Sequence, residues 1–433
     1  MNFSVFIVGC LALYYLLDNL ALAGIPEHTP SVKGFRWWSS PLEYAGRLYF
    51  TVDNYNTSNR RSVLYYYDDN ANKLIKVNPT SNGEQLQNVS KPVKFAGRLF
   101  FWAKVKNDLG YWHRTLYSYD ALSDSLLAHD IELANEDEIA SISDFKVYDH
   151  KLFFGAKLNG SDRKLWSYDP FSQALTAITP LPAEVAKGRL DFDESYNDTL
   201  SFTFLDFDGY RSHHYIYDRK NNTVSGREVP YSINSETLSA QSSQVSYMGE
   251  IYGSCQNPDN GGYDQELCLQ DKSGKISMLA DLDPTSQGSS VPGQFVHYAD
   301  GLYFTANHTE YGRGLYKYDV VTNSASIVPG FKGKTSDSYS GNLLTEYNGK
   351  LYFTLYHYDN ADKKSSSYLW SYDVKTAKYQ EIGGFAVDNT AALFLSEHND
   401  KLYVGLSSRA IYVYDSKTGV LSPWQPQVQQ EMK

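Results

Sequence analysis

Short apolar-aromatic runs, bounded by turn formers, recur along this chain with only strand-type sequence between them. Eight times the same phrase returns: a turn, a run of the form Leu-Tyr-Phe, a polar stretch, then Leu-aromatic-x-Tyr-Asp. Its leading residues are Leu48, Leu99, Leu152, Leu200, Ile251, Leu302, Leu351 and Leu402, a period of about 50 residues. All-strand sequence at that period predicts an all-β fold: a single eight-bladed β-propeller of four-stranded antiparallel blades, covering residues 40–425.

The second unit shows the expected grammar. Lys91 to Phe95 reads as a first strand, Ala96-Gly97 as a tight turn and Arg98 to Ala103 as a second strand. A polar loop follows over Lys104 to His113, then a third strand Arg114 to Tyr119, a turn Asp120 to Ser125 and a fourth strand Leu126 to Ile131. Every unit supplies an acid after its third strand: Asp68, Asp120, Asp169, Asp218, Asp271, Asp319, Asp373 and Asp415. An acidic ring of this kind reads as turn structure rather than as metal ligands, because Asp at the first turn position bonds the backbone two residues on.

Ahead of the array, Val5 to Leu17 is an apolar run too short to span a bilayer, and Ala21-Leu22-Ala23 before Gly24 is a small-x-small cleavage pattern. Residues 1–23 therefore read as a secretory signal peptide, with an uncleaved anchor as the alternative. Residues 24–39 form a lead-in segment whose Trp37 and Trp38 are placed to add a strand to the last blade or to pack under it, and residues 426–433 a polar, frayed tail.

Secretion organises several smaller features. Six sequons, at Asn56, Asn88, Asn159, Asn197, Asn221 and Asn307, agree with it. Cys10 leaves with the signal, so Cys255 and Cys268 remain as one pair in the central strands of the fifth unit, where a cross-strand disulfide is expected and a buried reduced pair is the alternative. A net charge of -11 argues against a nucleic-acid partner, and no later segment is apolar enough to insert in a membrane. Tyrosine is the compositional outlier, 37 residues against 21 Phe and 7 Trp, and suits half-buried strand positions with the ring inside and the hydroxyl at the edge.

The phrase Gly349-Lys350-Leu351-Tyr352-Phe353, followed by Tyr368-Leu369-Trp370-Ser371-Tyr372-Asp373, resembles repeats of the broad kelch-like and quinoprotein-like propeller superfamilies. The closing unit, Ile411 to Gly419, looks still more like a quinoprotein-type repeat. That resemblance implies the propeller architecture over the mature chain. It does not carry a quinone, since the regular closing tryptophan has Trp424 as its lone match and the adjacent cysteine pair is missing. The double glycine of kelch blades is absent too, and no cofactor is expected.

Function is sought in the loops between the second and third strands, which are long and unlike one another on a repeated scaffold. Arg114, Arg163, Arg313 and Arg409 each stand two residues before the Leu or Ile that opens a third strand, so strand periodicity predicts equivalent sides of their blades. Tyr111, Trp112, Tyr210 and Tyr311 share those loops. Arginine binds carboxylates in a fork and tyrosine offers an apolar face with a polar tip, which suits acidic or hydroxyl-rich ligands. The competing reading pairs the arginines with nearby acids such as Asp53, Asp108, Asp162 and Glu310. Loop histidines His113, His213, His214, His308 and His357 lack metal-site spacing, and no catalytic or metal site is assigned.

These features point to a secreted, extracellular binding protein that recognises a glycan or protein partner through the loop-bearing face. The alternatives are a secreted lyase or hydrolase acting on an anionic polysaccharide and a Tyr-rich structural matrix or secretion component.

Overall fold

The computed structural model describes residues 35–37, 40–54, 61–77, 80–81, 84–106, 112–132, 144–156, 164–178, 189–192, 199–206, 211–221, 223–229, 245–247, 250–257, 264–271, 275–283, 289–299, 301–309, 312–330, 343–359, 364–385 and 390–428. The signal-peptide segment and most lead-in residues lie outside this set. Within it, eight antiparallel sheets follow one another along the chain, each built on four consecutive strands, and the eight sequence units map onto them in order. The eight-bladed propeller is the observed architecture. Among the described residues no helix is long and apolar enough to cross a membrane.

Blade 2 runs Val93–Phe95, Arg98–Lys106, Trp112–Asp120 and Ser125–Glu132, in that spatial order. Its central strands extend further than the sequence pattern predicts. Trp112 pairs with Lys106, His113 with Val105 and Arg114 with Lys104, so much of the expected loop is ladder. Polarity misled here, because a strand that projects beyond the core keeps its backbone pairing while its side chains turn to water.

The first hairpin of a blade turns through paired positive φ values: Ala45 at 50° and Gly46 at 72°, Ala96 at 47° and Gly97 at 69°, Asn348 at 47° and Gly349 at 72°. These are the mirror-type turns that match strand twist. The second hairpin to repeat joins strands three and four, and all eight aspartates act there as turn builders. Asp68, Asp120, Asp169, Asp218, Asp319, Asp373 and Asp415 each accept from the backbone N–H two residues on, and Asp271 from that of Lys275. The tyrosine ahead of the Asp braces the same turn: Tyr67 donates to Asn72, Tyr119 to Asp124 and Tyr318 to Asn323, residues held at φ of 49°, 50° and 51°.

Apolar packing runs between blades. Tyr49 of blade 1 lies in one cluster with Phe101, Tyr117 and Tyr119 of blade 2, while Phe100, Trp102 and Leu116 on the opposite face of blade 2 join Leu152, Phe154 and Ala156 of blade 3. Every tyrosine whose side chain is described is buried or half-buried, which accounts for those tyrosines by packing. Hydroxyls clasp neighbouring blades: Tyr44 donates to the Gly97 carbonyl, Tyr298 to the Gly349 carbonyl at 2.6 Å and Tyr347 to the Asp400 carbonyl.

The joint between blades 8 and 1 is built differently. At the clasp position His398, fully buried, places Nε2 2.8 Å from Asp69 Oδ2 and Nδ1 3.6 Å from Glu43 Oε2. Trp424 stacks on Phe50 with ring centroids 5.3 Å apart and meets Tyr67 and Tyr403 edge-on. Both ends of the chain reach the first blade. Phe35–Trp37 pairs with the second strand of blade 1 (Trp37 opposite Val52), not with the last blade, and Gln427–Val428 runs parallel to Lys73–Leu74 on its outer edge instead of fraying. Close packing at this end also explains Gly405, where a Cβ would come within 2.0 Å of the Phe394 ring.

Cys255 and Cys268 form the expected disulfide across the central strands of blade 5, with Cα atoms 5.7 Å apart. Since Trp424 is the wedge between the first and last blades, Trp424→Ala is expected to lower unfolding free energy by about 3–5 kcal/mol, measured by urea denaturation. A similar loss is expected on truncation after Pro423.

Candidate functional site

The ladder in blade 2 arranges its side chains by simple alternation. Phe100, Trp102 and Leu116 face blade 3, so Lys104, Lys106, Trp112 and Arg114, at even spacing on the same two strands, project from that same face. The placement of Lys106 Nζ 5.3 Å from the centre of the Trp112 ring agrees. From the core outward the rungs are Trp102 with Leu116, Lys104 with Arg114, and Lys106 with Trp112. The deepest rung is buried, Lys104 is half-buried, Trp112 is half-buried and Lys106 is exposed.

Arg114 is the unusual member. Its side chain is 4% exposed, and burial alone lowers its guanidinium to about 10. Among the described residues no ion pair reaches it, and Nη2 has no hydrogen-bond partner. The indole N–H of Trp102, buried on the adjacent rung, is likewise unpaired. Unpaired buried donors are costly.

Arg313 of blade 6 supplies the internal comparison. It occupies the same register: Arg313 lies opposite Asn307 and Leu315 opposite Thr305, as Arg114 lies opposite Lys104 and Leu116 opposite Trp102. Arg313 donates to Thr305 Oγ1 at 2.8 Å, to Asn307 Oδ1 at 3.2 Å and to the carbonyls of Thr305 and Val291 at 3.4 Å. These partners among the described residues are neutral oxygens; Glu310, an acid considered from sequence, lies outside the described residues. In blade 2 the two side-chain acceptors are replaced by Trp102 and Lys104, which can only donate. Arg313 thus bonds through both terminal nitrogens and leaves Nε without a partner, whereas Arg114 leaves Nη2 without one.

Other sequence candidates fall elsewhere. Blade 8 closes its hairpin tightly, so Arg409 sits in the turn at φ 74° with its N–H on the Leu406 carbonyl, and not on a strand beside the other two. Arg163, Tyr111, Tyr210 and Tyr311 lie outside the described residues. Of the sequons, Asn221 is exposed and Asn88 half-buried, whereas the Nδ2 of Asn307 is buried beside Arg313; Asn56, Asn159 and Asn197 lie outside the described residues. Lys104, Lys106 and Trp102 were missed from sequence because the search followed single positions before the third strand. Aligning the second strands of units 2 and 6 exposes the exchange of Thr and Asn for Trp and Lys. Two surface concavities, of about 380 Å³ at the outer edge of blade 7 and about 450 Å³ beside Trp424, lie away from this ladder.

Two buried titratable groups are structural. His129 bridges blades 2 and 3, with Nε2 2.9 Å from Ser118 Oγ and Nδ1 2.7 Å from Tyr168 Oη, and burial pulls it down to about 4. Glu266, fully buried, accepts from Ser290 Oγ and from the Leu282 N–H, and burial pushes its carboxyl up to about 8.

These environments generate predictions. Because Arg114 carries a desolvation cost without compensation, Arg114→Met is expected to raise unfolding free energy by about 1–3 kcal/mol, while Arg313→Met lowers it by about 2–4 kcal/mol by orphaning its acceptors. Urea unfolding of both variants checks the contrast. His129 binds its proton less readily folded than unfolded, so stability falls as pH drops from about 6.5 toward about 4. Glu266 holds its proton more tightly folded than unfolded, so stability also falls as pH rises from about 4.5 toward about 8. In thermal melts across pH, Glu266→Gln is expected to flatten the alkaline limb and leave the acid limb intact.

No protein-family model matches the chain, and no curated protein matches it. Solved structures of similar architecture include the β-propeller domain of the Trilobed protease from Pyrococcus furiosus, at 12% identity over 78% of this chain and 97% of that one, TM-score 0.40. A dipeptidyl peptidase 4 from Porphyromonas gingivalis aligns at 10% identity over 94% of this chain and 60% of its own, TM-score 0.49. A puromycin-hydrolyzing peptidase from Mycobacterium tuberculosis aligns at 12% identity over 80% of this chain and 54% of its own, TM-score 0.47. For the latter two, the chain spans little more than half of the neighbour's length. The eight four-stranded sheets by themselves bear out the kelch-like and quinoprotein-like resemblance as far as general β-propeller architecture.

Proposed function

We propose that this chain is a secreted β-propeller binding protein that recognises an extracellular glycan or protein partner through the hairpins joining the second and third strands of its blades. The observation that carries this reading is Arg114: a buried guanidinium whose Nη2 has no acceptor among the described residues, on a ladder that opens to solvent at Lys106 and Trp112. A fold tolerates such a group when a ligand makes the missing bonds, since binding then recovers the desolvation cost. The opposite hairpins, between strands three and four, satisfy their own Asp and Tyr groups internally and have no comparable deficit among the described residues. Secretion is supported by the leader-like N-terminus, the sequons and the disulfide in blade 5.

The test is to express the chain in secreting eukaryotic cells, sequence its mature N-terminus, and screen the purified protein on a broad glycan array and against extracellular fluid. A mature start at Gly24 is expected, together with a partner whose capture is lost in Arg114→Gln and retained in Asp120→Asn at the opposite hairpin. Retention of the chain in the cell, or capture indifferent to Arg114, would sink the proposal. Release of shortened products from a captured polysaccharide would instead assign a hydrolase or lyase.

A further inference from the structure

Resting on the reading that this chain enters the secretory route, we infer that the folded protein carries N-linked glycans at Asn88 and Asn221, and that Asn307, although it too heads an Asn-x-Thr triplet, stays unmodified.

The bond in question joins an Asn Nδ2 to the anomeric carbon of a sugar. The donor is an oligosaccharide held on a lipid diphosphate: the C–O bond to phosphate breaks, the diphosphate leaves with that electron pair, and Nδ2 loses one proton as its new N–C bond forms. A bulky, hydrated group then stands on the nitrogen. A folded chain accepts it only where Nδ2 reaches solvent, which is why the triplet ordinarily marks a surface loop.

The three sequons whose Asn is described meet that condition differently. Asn88 lies in the connection from blade 1 to blade 2 at a φ of 50°, a conformation that Asn tolerates. Its neighbours are tied down, since Gln87 exchanges both backbone bonds with Lys104 and the Val89 N–H donates to the Ser62 carbonyl at 3.1 Å. Between them Asn88 is half-buried, and its amide is neither enclosed nor hydrogen-bonded among the described residues. Asn221 is exposed in the hairpin between strands three and four of blade 4, with Nδ2 2.6 Å from Asp218 Oδ2. An amide has two N–H groups, so a sugar on one leaves the other for Asp218.

Asn307 is instead part of the scaffold. It lies on the second strand of blade 6 directly opposite Arg313, 9% exposed, and its Oδ1 accepts from that guanidinium at 3.2 Å. Its Nδ2 is buried, and its backbone N–H donates to the Ser290 carbonyl at 2.7 Å. The hydroxyl of the same sequon is committed as well, Thr309 Oγ1 donating to Asp283 Oδ2 at 2.5 Å. A sugar attached before folding has no room once these contacts form, so the chain that carries it cannot complete blade 6. After folding, Nδ2 is out of reach. Either order leaves the native chain bare at Asn307.

The experiment expresses the full chain with its own leader in eukaryotic cells and collects the protease-resistant, folded pool from medium and cells. An N-glycan amidase in heavy-oxygen water converts each glycosylated Asn to a labelled Asp, and peptide mass spectrometry reads each sequon. Label is expected at positions 88 and 221, with at least tenfold less at position 307. Leu315→Asp puts a charge in the fully buried core of blade 6, so in the total pool of that variant the label is expected at 307 as well. Label at 307 in the folded wild-type pool, or its absence at 88 or 221, overturns the inference. So does an Asn307 that stays bare in Leu315→Asp, because burial is then not the cause. The broader reading is decided separately by where the folded, glycosylated pool is found: recovery from the medium supports secretion, and confinement to the cell sinks it while leaving the glycan assignment standing.

Discussion

The structure depends on burying both faces of every blade. A four-stranded sheet whose two faces are apolar is not stable in water, so each blade requires two neighbours and the row of blades must close on itself. Three joints share one recipe, in which an inner-strand tyrosine donates across to a turn carbonyl of the next blade: Tyr44 to Gly97, Tyr298 to Gly349 and Tyr347 to Asp400. The joint between blades 8 and 1 is built differently. There Trp424 fills the wedge against Phe50, Tyr67 and Tyr403, and His398 replaces tyrosine between Asp69 and Glu43.

That scaffold separates two kinds of hairpin. Between strands three and four, Asp and Tyr bond within their own turn, and repetition of the same two residues gives repetition of the same shape. Between strands two and three, the same register carries opposite outcomes in two blades. Arg313 has Thr305 and Asn307 as acceptors, whereas Arg114 has Trp102 and Lys104, and the guanidinium changes from a cross-link into an unmet donor. The two residues that differ on the neighbouring strand supply side-chain acceptors in blade 6 and none in blade 2, over the same backbone pairing.

Much of the architecture was legible because its causes are local. Asp at the first position of a turn and paired residues suited to positive φ act within four residues, so Asp68 through Asp415 could be assigned from spacing alone. Cys255 and Cys268 were legible for the same reason, being on adjoining strands of one hairpin. The features that escaped depend on partners distant in sequence. Nothing near Gln427 reveals that it meets Lys73, and nothing in the polarity of Lys104 to His113 reveals that the strands continue through it. The state of Arg114 was hidden more deeply still. An arginine two residues before a third strand looks identical in units 2 and 6, and its bonding is set by the strands packed beside it.

The attachment of both chain ends to blade 1 has a consequence for how the protein is made. Blade 1 holds its outer edge open for Gln427–Val428, which follow all eight blades in the sequence and so are synthesised after them. Blades 2 to 7 each find one neighbour as they emerge, but one face of blade 1 must wait for Trp424 and blade 8. Growth of the chain therefore proceeds with an apolar face uncovered from start to finish, and completion of the ring is a single late event that converts an open row of sheets into a sealed one. The vulnerable period of this protein's life is its synthesis, and its length is set by the distance along the chain between Phe50 and Trp424.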